Sequence, residues 1–454
     1  MSPAAPARAL APPAAVLEIT RRLEDAGHAT WAVGGAVRDA LAGRPGGDWD
    51  LATRARPEQV RRLFRRTVPI GIEHGTVGIL AQDGVLYEVT TFRRDVETTG
   101  RHAVVQFADE IEEDLSRRDF TLNAIAWHPL RDVLLDPFGG LADLERRVLR
   151  TVGAPDERFA EDWLRVLRGL RFAGHFALDV APETWRSLVA ATGRLGGLSA
   201  ERVREELWKI LGKTRPASRS LSLYAASGVL AALYPELEAL VALEAELSPG
   251  ERPWSESLAA VDALPPARTS LRAAALLHRI GWPLARSKDL RGGWRFTGHE
   301  RMGERAAVEL MRRLKASSAE TEAVSGLVGL QGELFPPDAG GWLVRRWLVA
   351  VGPERVPDLF RLRIALWRGA HPAGGPAPGD LLERWRSARH VLRTRPPLTV
   401  GDLAIGGAEL RELGLEPGPR YGALLRALLE RVIEDPDLNT RERLLGIVRE
   451  ELLP

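Results

Sequence analysis

Short apolar runs alternate with helix-like stretches over the first 150 residues of the chain. The apolar run 30–34 predicts a strand that ends at a glycine pair, and 36–42 after it predicts a helix. Residues 49–53 predict a second strand, and 57–66 predict a helix with proline in its first turn. Two β-rich runs within 75–92 are separated by an Asp-Gly turn signal, which predicts a hairpin. This part of the chain is predicted to be a mixed αβ domain.

The pattern becomes helical from about residue 156 and stays so. Apolar residues recur at three- and four-residue spacing, as in 163–170. Clusters of Pro and Gly near 248–253, 336–341 and 372–379 predict joints between helical modules. We therefore predict an α+β fold in which a mixed αβ head precedes a long all-helical neck, body and tail. The predicted domains are a flexible lead-in and first helix at 1–27, the head at 28–150, the neck at 151–215, the body at 216–345 and the tail at 346–454.

Composition narrows the kinds of site that the chain can carry. It has 454 residues and no cysteine, so any metal must be held by oxygen or imidazole ligands. No stretch approaches the roughly 18 apolar residues of a membrane span, and the first 20 residues lack the pattern of a signal peptide. We therefore expect a cytoplasmic protein without a membrane partner. The net charge of +2 does not indicate a nucleic-acid partner, and we attribute the excess of Arg over Lys mainly to a GC-rich genome.

The segment GGAVRDALAG and the DWD that follows it carry the richest candidate chemistry. Gly34 and Gly35 lie between a predicted strand and helix, where backbone amides can approach a phosphate, and Arg38 could reach the same anion. Asp48 and Asp50 lie two residues apart on a predicted strand and point to one face, where two like charges need a cation. Carboxylates suit Mg²⁺, which also binds substrate phosphates. The alternatives are glycines that only shape a loop and a solvated acidic turn.

Two later segments add charged candidates. Glu88, in LYEVTTF, lies on a predicted strand and is a candidate third metal ligand or a base for an attacking hydroxyl. The segment DLSRRDFTLNA carries two guanidiniums, Arg117 and Arg118, and either could hold a triphosphate through a bidentate contact. The alternatives are an exposed strand glutamate and a surface cluster of salt bridges.

The segment EDWLRVLRGLRF predicts a helix that carries acidic and basic side chains. Glu161 and Asp162 lie four and three residues before Arg165, so both are its neighbours on a continuous helix. A fixed Arg–Asp pair presents donors and acceptors that could read the edge of a nucleobase. Arg171 would point away from Asp162 and could contact phosphate or brace a domain junction. Ordinary salt bridges on a helix surface are the alternative.

Together and in this order, these segments resemble the class II tRNA nucleotidyltransferase family, which includes CCA-adding enzymes and bacterial poly(A) polymerases. The resemblance extends through about residue 215 and implies template-independent addition of CCA, or of a CC or A part of it, to the 3′ end of tRNA from CTP and ATP. The matching motifs are GGAVRDALAG with DWD, HGTV, YEVTTFR, DLSRRDFTLNA, DPFGGLADL and EDWLRVLRGLRF, followed by LSAERVREEL, which is similar to the family's neck.

The resemblance also implies roles for individual residues. Asp48 and Asp50 would bind the metals, about 4 Å apart, that assist in-line attack of the tRNA 3′-hydroxyl on the α-phosphate. Glu88 matches the third acidic position. The implied nucleotide site consists of Gly34, Gly35, Arg38, Arg118, Glu161, Asp162, Arg165, Arg168 and Arg171, among which Glu161, Asp162 and Arg165 match the amino-acid template that selects CTP and ATP.

Several points stay open at the level of sequence. Residues 69–77 resemble the CCA-adding branch, but polyadenylation of RNA and a catalytically inactive RNA-binding relative remain alternatives. The stretch 93–113 is long enough to include the family's flexible loop. The segments 274–283 and 296–300 resemble an HD phosphohydrolase, yet Arg279 stands where the metal-binding Asp would follow His278, and a cation there opposes metal binding. We expect this degenerate segment to serve structure or tRNA contact. The sequence does not specify an oligomeric state.

Overall fold

The computed structural model describes residues 10–44, 47–99, 102–248, 250–371, 373, 375 and 377–452. The chain divides into two compact units. The first extends to Ile210 and includes Thr214–Pro235, and the second comprises Leu211–Lys213 and the chain from Glu236 onward. Within the described ranges, none of the helices is long and apolar enough to cross a membrane.

A seven-stranded mixed sheet organises the first unit. The strands of this unit are β1 (Thr30–Val33), β2 (Asp50–Thr53), β3 (Thr67–Gly71), β4 (Thr76–Leu80), β5 (Leu86–Thr91), β6 (Arg93–Thr99), β7 (His102–Phe107), β8 (Ala126–His128), β9 (Val133–Leu135), β10 (Val148–Leu149) and β11 (Asp179–Val180). The sheet has the order β3-β4-β5-β2-β1-β8-β9. Strands β2 and β5 run parallel, and the other neighbouring pairs are antiparallel. The hairpin predicted over 75–92 is formed by β4 and β5.

Helices pack on both faces of this sheet, and on one face Ala52 and Ala126 share a cluster with α4 (Ile111–Ser116). On the other face, apolar side chains of α1 (Ala14–Asp25) and α3 (Pro57–Leu63) form a core cluster with Leu51, Val77 and Val89. Because side chains alternate along a strand, the residues on either side of these point to the opposite face. The helices of the N-terminal half are α1 (Ala14–Asp25), α2 (Gly35–Leu41), α3 (Pro57–Leu63), α4 (Ile111–Ser116), α5 (Gly140–Glu145), α6 (Pro155–Glu161), α7 (Leu164–Phe176), α8 (Pro182–Ala191), α9 (Ala200–Lys213), α10 (Ser218–Ser227) and α11 (Val229–Leu233).

Some boundaries differ from the sequence prediction. The helix predicted over 57–66 ends at Leu63, because the chain then turns extended and forms β3, an edge strand that we did not predict. Pro69 lies in β3, and proline is tolerated in a sheet mainly on such edges. The stretch 93–113, expected to include a flexible loop, forms the β6–β7 hairpin followed by α4. Residues 100–101, between these two strands in the sequence, lie outside the described residues.

Among its described residues, the second unit is helical apart from a two-stranded hairpin of β12 (Ser287–Lys288) and β13 (Trp294–Arg295). As predicted, the Pro and Gly clusters of the sequence fall between helices, in the gaps 247–252, 331–340 and 371–378. The α+β prediction is therefore confirmed. The helices are α12 (Pro235–Glu246), α13 (Pro253–Asp262), α14 (Thr269–Leu277), α15 (Trp282–Ala285), α16 (His299–Arg313), α17 (Ser318–Leu330), α18 (Gly341–Val351), α19 (Val356–Ala370), α20 (Gly379–Arg393), α21 (Gly407–Glu412), α22 (Pro419–Glu434) and α23 (Arg441–Ile447).

The degenerate HD-like segment is built into the core of this second unit. His278 is buried, and burial together with the Arg279 cation lowers its pKa to about 3. Arg279 forms an ion pair with Glu256 at 2.6 Å and lies 4.3 Å from the centre of the Trp282 ring. The cation that replaces the expected aspartate thus has a carboxylate and an aromatic ring as partners, which suits a structural role.

Candidate active site

The acidic residues singled out in the sequence lie on two neighbouring strands. Asp50 begins β2, and Glu88 lies in β5. Because Leu51 is paired with Val89, Asp50 and Glu88 are side by side on the face opposite the cluster that contains Leu51 and Val89. Asp48 precedes β2 rather than lying on it, and is exposed.

Negative charge is concentrated around Asp50. Burial, followed by the charge of Glu88, raises the pKa of Asp50 to about 6; the Arg118 cation opposes this rise and Asp48 adds to it. Trp49, between the two aspartates, is buried in the core, which directs its neighbours away from the core. Carboxylates crowded in this way attract a cation.

The donor set fits a divalent ion that prefers oxygen ligands. In the part of the chain that the structure describes, no group of three or more His, Asp or Glu side chains is spaced to enclose a metal by itself. Mg²⁺ at catalytic sites is usually held by one or two carboxylates together with substrate phosphates. Asp48 and Asp50 therefore fit an ion whose remaining ligands come from a bound phosphate.

A glycine turn brings a guanidinium to the same place. Gly34, between β1 and α2, has φ of 75° and ψ of −133°, a conformation that favours glycine. A Cβ added to Gly34 would lie 3.3 Å from Nη1 of Arg118 and 3.7 Å from Oδ2 of Asp50. The absence of a side chain at Gly34 thus lets this turn, a carboxylate and a guanidinium converge. Gly35 is the first residue of α2.

A buried carboxylate, that of Asp114, holds the guanidinium of Arg118 in position. Asp114 is 1% exposed and accepts hydrogen bonds from Arg118 at 3.1 Å and Arg117 at 3.2 Å. Burial alone would raise the pKa of Asp114, but the Arg118 and Arg117 cations lower it. The Nε atom of Arg118 is buried and has no hydrogen-bond partner among the described residues. Arg118 is therefore fixed in place by Asp114.

Arg38 is more enclosed than the sequence suggests. It is 8% exposed and lies between two rings of α7, 4.8 Å from the centre of Phe172 and 4.7 Å from that of Phe176. It donates to Oδ1 of Asn123 at 2.5 Å and pairs with Asp39 at 2.7 Å. These contacts give Arg38 a clear part in fixing α2 against α7, while its contact with phosphate remains a prediction.

The helix predicted through EDWLRVLRGLRF is interrupted, which corrects our expectation for Asp162. Helix α6 ends at Glu161, Asp162 is extended with φ of −156°, and α7 begins at Leu164. Asp162 Oδ1 accepts a hydrogen bond from the Leu164 amide at 3.1 Å, and Oδ2 pairs with Arg202 of α9 at 2.6 Å. The expected Asp162–Arg165 pair is replaced by these contacts because the break rotates Asp162 out of the helical register.

The expected pairing of Glu161 with Arg165 is present across the same break. Arg165 also donates to two backbone carbonyl oxygens, that of Arg158 at 2.9 Å and that of Arg117 at 3.2 Å. Glu161 is bonded to Arg158 as well, at 3.0 Å. Arg165 is thus oriented by several fixed acceptors, and it links α7 to the segment that carries Arg118.

Arg168 belongs to a buried network with the same segment. Its Nε atom donates to Asp119 at 2.7 Å, and Asp119 also accepts from the Asn123 amide group at 2.7 Å and from the Phe120 backbone amide at 2.9 Å. Burial alone would raise the pKa of Asp119, but Arg168 and the hydrogen bonds lower it to about 2. The network fixes the position of Asn123, which is also the partner of Arg38.

Arg171 is bonded to α9, and it shares the Phe172 ring with Arg38 and Arg168. It pairs with the buried Glu206 of α9 at 2.7 Å, and Lys209 approaches the same carboxylate at 2.8 Å. Its guanidinium also lies 4.3 Å from the centre of the Phe172 ring. Of the two options left open by the sequence, the observed contacts correspond to a brace between helices.

Three residues of the site were missed as functional candidates. Asn123 and Asp114 were quoted within a motif but given no role. The signal for Asp114 would have been its spacing of three and four residues from Arg117 and Arg118, whereas Asn123 lies 85 residues from its partner Arg38. Arg202 lies 40 residues from Asp162. Nothing in local spacing indicates that contact, which depends on how α9 packs.

Two family models match the chain. The model described as "Poly A polymerase head domain" matches residues 30–150, which contain the glycine turn, Asp48, Asp50, Glu88 and Arg118. The model described as "Probable RNA and SrmB- binding site of polymerase A" matches residues 177–240.

Relatives match over nearly the full length. The CCA-adding enzyme of Geobacillus stearothermophilus is 33% identical over 437 residues, and that of Geobacillus kaustophilus (strain HTA426) is 43% identical over 437 residues; each match covers 96% of this chain and 96% of the relative. The Bacillus stearothermophilus CCA-adding enzyme in complex with CTP is similar in structure, with a TM-score of 0.74, 31% identity and coverage of 96% of this chain and 97% of that chain. The Thermotoga maritima CCA-adding enzyme complexed with tRNA shares the fold, with a TM-score of 0.54 and 20% identity over 98% of this chain and 97% of that one. With this identity and coverage, the chain belongs to the CCA-adding enzyme family of nucleotidyltransferases.

Proposed function

We propose that this enzyme adds CCA to the 3′ end of tRNA from CTP and ATP, without a nucleic-acid template, and releases pyrophosphate. The observation that carries the proposal is the convergence of Gly34, Asp50 and Arg118, which brings a glycine turn, a carboxylate and a guanidinium together. A cytoplasmic location follows from the proposed substrate. The head at 28–150 would carry the chemistry, the neck at 151–215 nucleotide selection, and the body and tail the tRNA.

Members of this family use a divalent metal ion, and we propose that the ion is Mg²⁺ held by Asp48 and Asp50. When bound, such an ion neutralises triphosphate charge and lowers the pKa of an attacking hydroxyl. Glu88 lies beside Asp50 and is exposed, so it can complete the ligand set or accept the proton of the acceptor hydroxyl.

Binding of the triphosphate would involve the glycine turn and Arg118. Gly34 and Gly35 allow the backbone to approach the phosphates closely, and Arg118 offers a donor that is already oriented by Asp114. Arg38 acts from the other side of the turn, where its contacts with Asn123 and the two rings of α7 hold α2 in place. The site is thus preorganised before nucleotide binds.

Replacing Gly34 by Ala is expected to lower kcat/KM for CTP about tenfold to hundredfold, because displaced reacting groups are costly to catalysis. The added methyl group would press on Arg118 and Asp50, and the positive φ would be strained. Steady-state kinetics with a tRNA acceptor measure the effect. Gly193→Ala is the matched control, since a Cβ there meets nothing within 4 Å. Unchanged kinetics in Gly34→Ala would show that the turn does not lie at the triphosphate.

Selection of the nucleotide would depend on the break between α6 and α7. Arg165 is oriented by Glu161, and Asp162 is exposed enough to meet a base edge but is paired with Arg202. A base that bonds to both residues would therefore meet an acceptor, the Asp162 carboxylate, and a donor, the Arg165 guanidinium. Arg202 holds the first and Glu161 the second. Arg168 and Arg171 support this arrangement through their contacts with Asp119 and Glu206.

Replacing Asp162 by Ala should relax discrimination among nucleotides more than it weakens triphosphate binding. Loss of a bidentate base contact costs about 1–3 kcal/mol of discrimination, by analogy with base readout in nucleic acids. Arg118→Ala should instead lower kcat/KM for all four nucleotides about equally, because a phosphate contact carries no base information. The measurement is kcat/KM for CTP, ATP, UTP and GTP in both variants. A parallel loss for all four in Asp162→Ala would mean that Asp162 only caps α7.

The proposal is tested directly with acceptors of defined length. tRNA ending before CCA, after the first C and after CC is incubated with each labelled nucleotide, and unstructured RNA serves as the competing primer. Addition of C, C and A in turn to tRNA is expected. Preferential extension of unstructured RNA with A would favour polyadenylation, and binding of tRNA without incorporation would favour an inactive RNA-binding relative.

A further inference from the structure

An apolar patch is exposed on the first unit, across β3, β4 and β5. Val68 and Ile70 of the edge strand β3 are each 42% exposed, and Leu86 of β5 is 43% exposed. A Cβ added to Gly78 of β4 would lie 2.7 Å from Cδ1 of Ile70 and 3.0 Å from Cδ1 of Leu86. The side chains of Ile70 and Leu86 thus close over Gly78. We call Val68, Ile70 and Leu86 the apolar shelf.

The apolar shelf lies on the same face of the sheet as the catalytic carboxylates. Leu86 precedes Glu88 by two residues on β5, a separation of about 7 Å along a strand. Tyr87 between them is buried in the opposite core. In the pairing of β4 with β5, Gly78 is directly opposite Glu88. A ligand resting on the shelf would therefore end beside Glu88.

The strand order separates the shelf from the proposed triphosphate site. In the strand order β3-β4-β5-β2-β1-β8-β9, the shelf residues lie on β3 and β5, while the glycine turn follows β1. Asp50 on β2 lies between them, and Glu88 on β5 is next to Asp50. A transfer reaction needs this arrangement: one substrate on each side of the carboxylates, with the reacting atoms meeting between them.

The chemistry of the shelf selects its occupant. Exposed apolar patches of this kind mark interaction sites, and aliphatic side chains suit the flat face of a nucleobase rather than a phosphate. Resting on the proposed function, we infer that the apolar shelf binds the 3′-terminal nucleobase of the RNA acceptor. Contact with the face of the base, rather than its edge, accepts either C or an unpaired discriminator base, as the acceptor end changes at each addition.

The first test replaces shelf residues by threonine, which is less apolar than leucine or isoleucine and is common at exposed strand positions. In Leu86→Thr and Ile70→Thr, KM for the tRNA acceptor should rise about fivefold, as expected for the loss of part of an apolar contact. KM for CTP should stay within about twofold of the wild-type value, because these substitutions leave the phosphate and base-edge contacts of the nucleotide unchanged. Val85→Thr is the matched control, because Val85 is 48% exposed but lies outside the paired strands. A rise of the same size in the control would overturn the assignment.

The second test removes the base instead of the side chain. An acceptor whose terminal nucleotide is abasic should bind the wild-type enzyme more weakly than the normal acceptor, and Leu86→Thr should weaken it no further. Equal effects of Leu86→Thr on both acceptors would overturn the inference. Equilibrium binding of both acceptors supplies the same comparison without catalysis, so the shelf is tested even if incorporation fails. If the wild-type enzyme incorporates nucleotides but Leu86→Thr weakens binding of both acceptors equally, the role of the shelf would be refuted. The proposed function would then still stand.

Discussion

Replacing Asp50 by Asn is expected to lower nucleotide incorporation by about a thousandfold, since metal assistance contributes several kcal/mol to such reactions. The change keeps the size of the side chain and removes the carboxylate charge of Asp50, which lies among those of Asp48 and Glu88. tRNA binding should be retained, because contacts with the RNA backbone dominate affinity. The rate of CTP incorporation and the Kd for tRNA are measured in parallel at saturating Mg²⁺.

Two controls separate loss of chemistry from loss of structure. Glu58→Gln removes an exposed acid on α3 and should leave the rate unchanged. The free energy of unfolding of Asp50→Asn should not fall, since the substitution relieves repulsion among neighbouring carboxylates. Near-normal turnover of the variant would refute the metal assignment. An inactive variant that has also lost stability would refute the view that Asp50 serves chemistry rather than folding.

The second large effect concerns stability. Asp119→Ala should lower the free energy of unfolding of the first unit by about 3–5 kcal/mol, because breaking a buried ion pair leaves its partner uncompensated. Asp119 is 7% exposed and bonds to Arg168, Asn123 and Phe120. Asp109→Ala removes the 73% exposed partner of Arg56 and should cost less than about 1 kcal/mol. Urea denaturation at pH 7 measures both variants, and equal losses would contradict the buried network.

Acid should reduce the difference between the wild type and Asp119→Ala. The pKa of Asp119 is about 2 in the folded protein, below the value of about 3.9 in an unfolded chain. Its charged form therefore stabilises the fold fully above about pH 4, and this contribution is lost as the pH falls towards about 2. Denaturation curves at pH 7 and pH 3 provide the comparison. A difference that stays constant between these pH values would mean that the charge of Asp119 contributes little.

The parts of the site that could be predicted from the sequence are those set by local geometry. The alternation of strand residues places Asp50 on the open face, and the glycine pair marks the turn at which Arg118 meets it. The α6–α7 break was not predicted, since no Gly or Pro interrupts the apolar period around Asp162. Aspartate is common at the start of helices, which is a weaker signal than Gly or Pro. The hydrogen bond from the Leu164 amide to Asp162 shows that this signal marked the start of α7.

Contacts that join distant segments lay beyond sequence reasoning. The pairing of Arg171 with Glu206 depends on the packing of α9 against α7, as does that of Asp162 with Arg202. Strand β3 was missed for a related reason: its side chains are mostly exposed, so it lacks the half-buried alternation by which strands are recognised. What could not be predicted was therefore decided by tertiary packing rather than by local propensity.

The ion pair between Asp162 and Arg202 makes base selection a competition. If a nucleobase bonds to Asp162, it must displace Arg202 or share the carboxylate with it, so every nucleotide faces the same opposing partner. A base whose edge matches Asp162 and Arg165 can offset that loss, whereas a mismatched base cannot and leaves Arg202 in place. Discrimination then comes partly from a penalty against the wrong nucleotide, and affinity even for the correct one is held below its maximum.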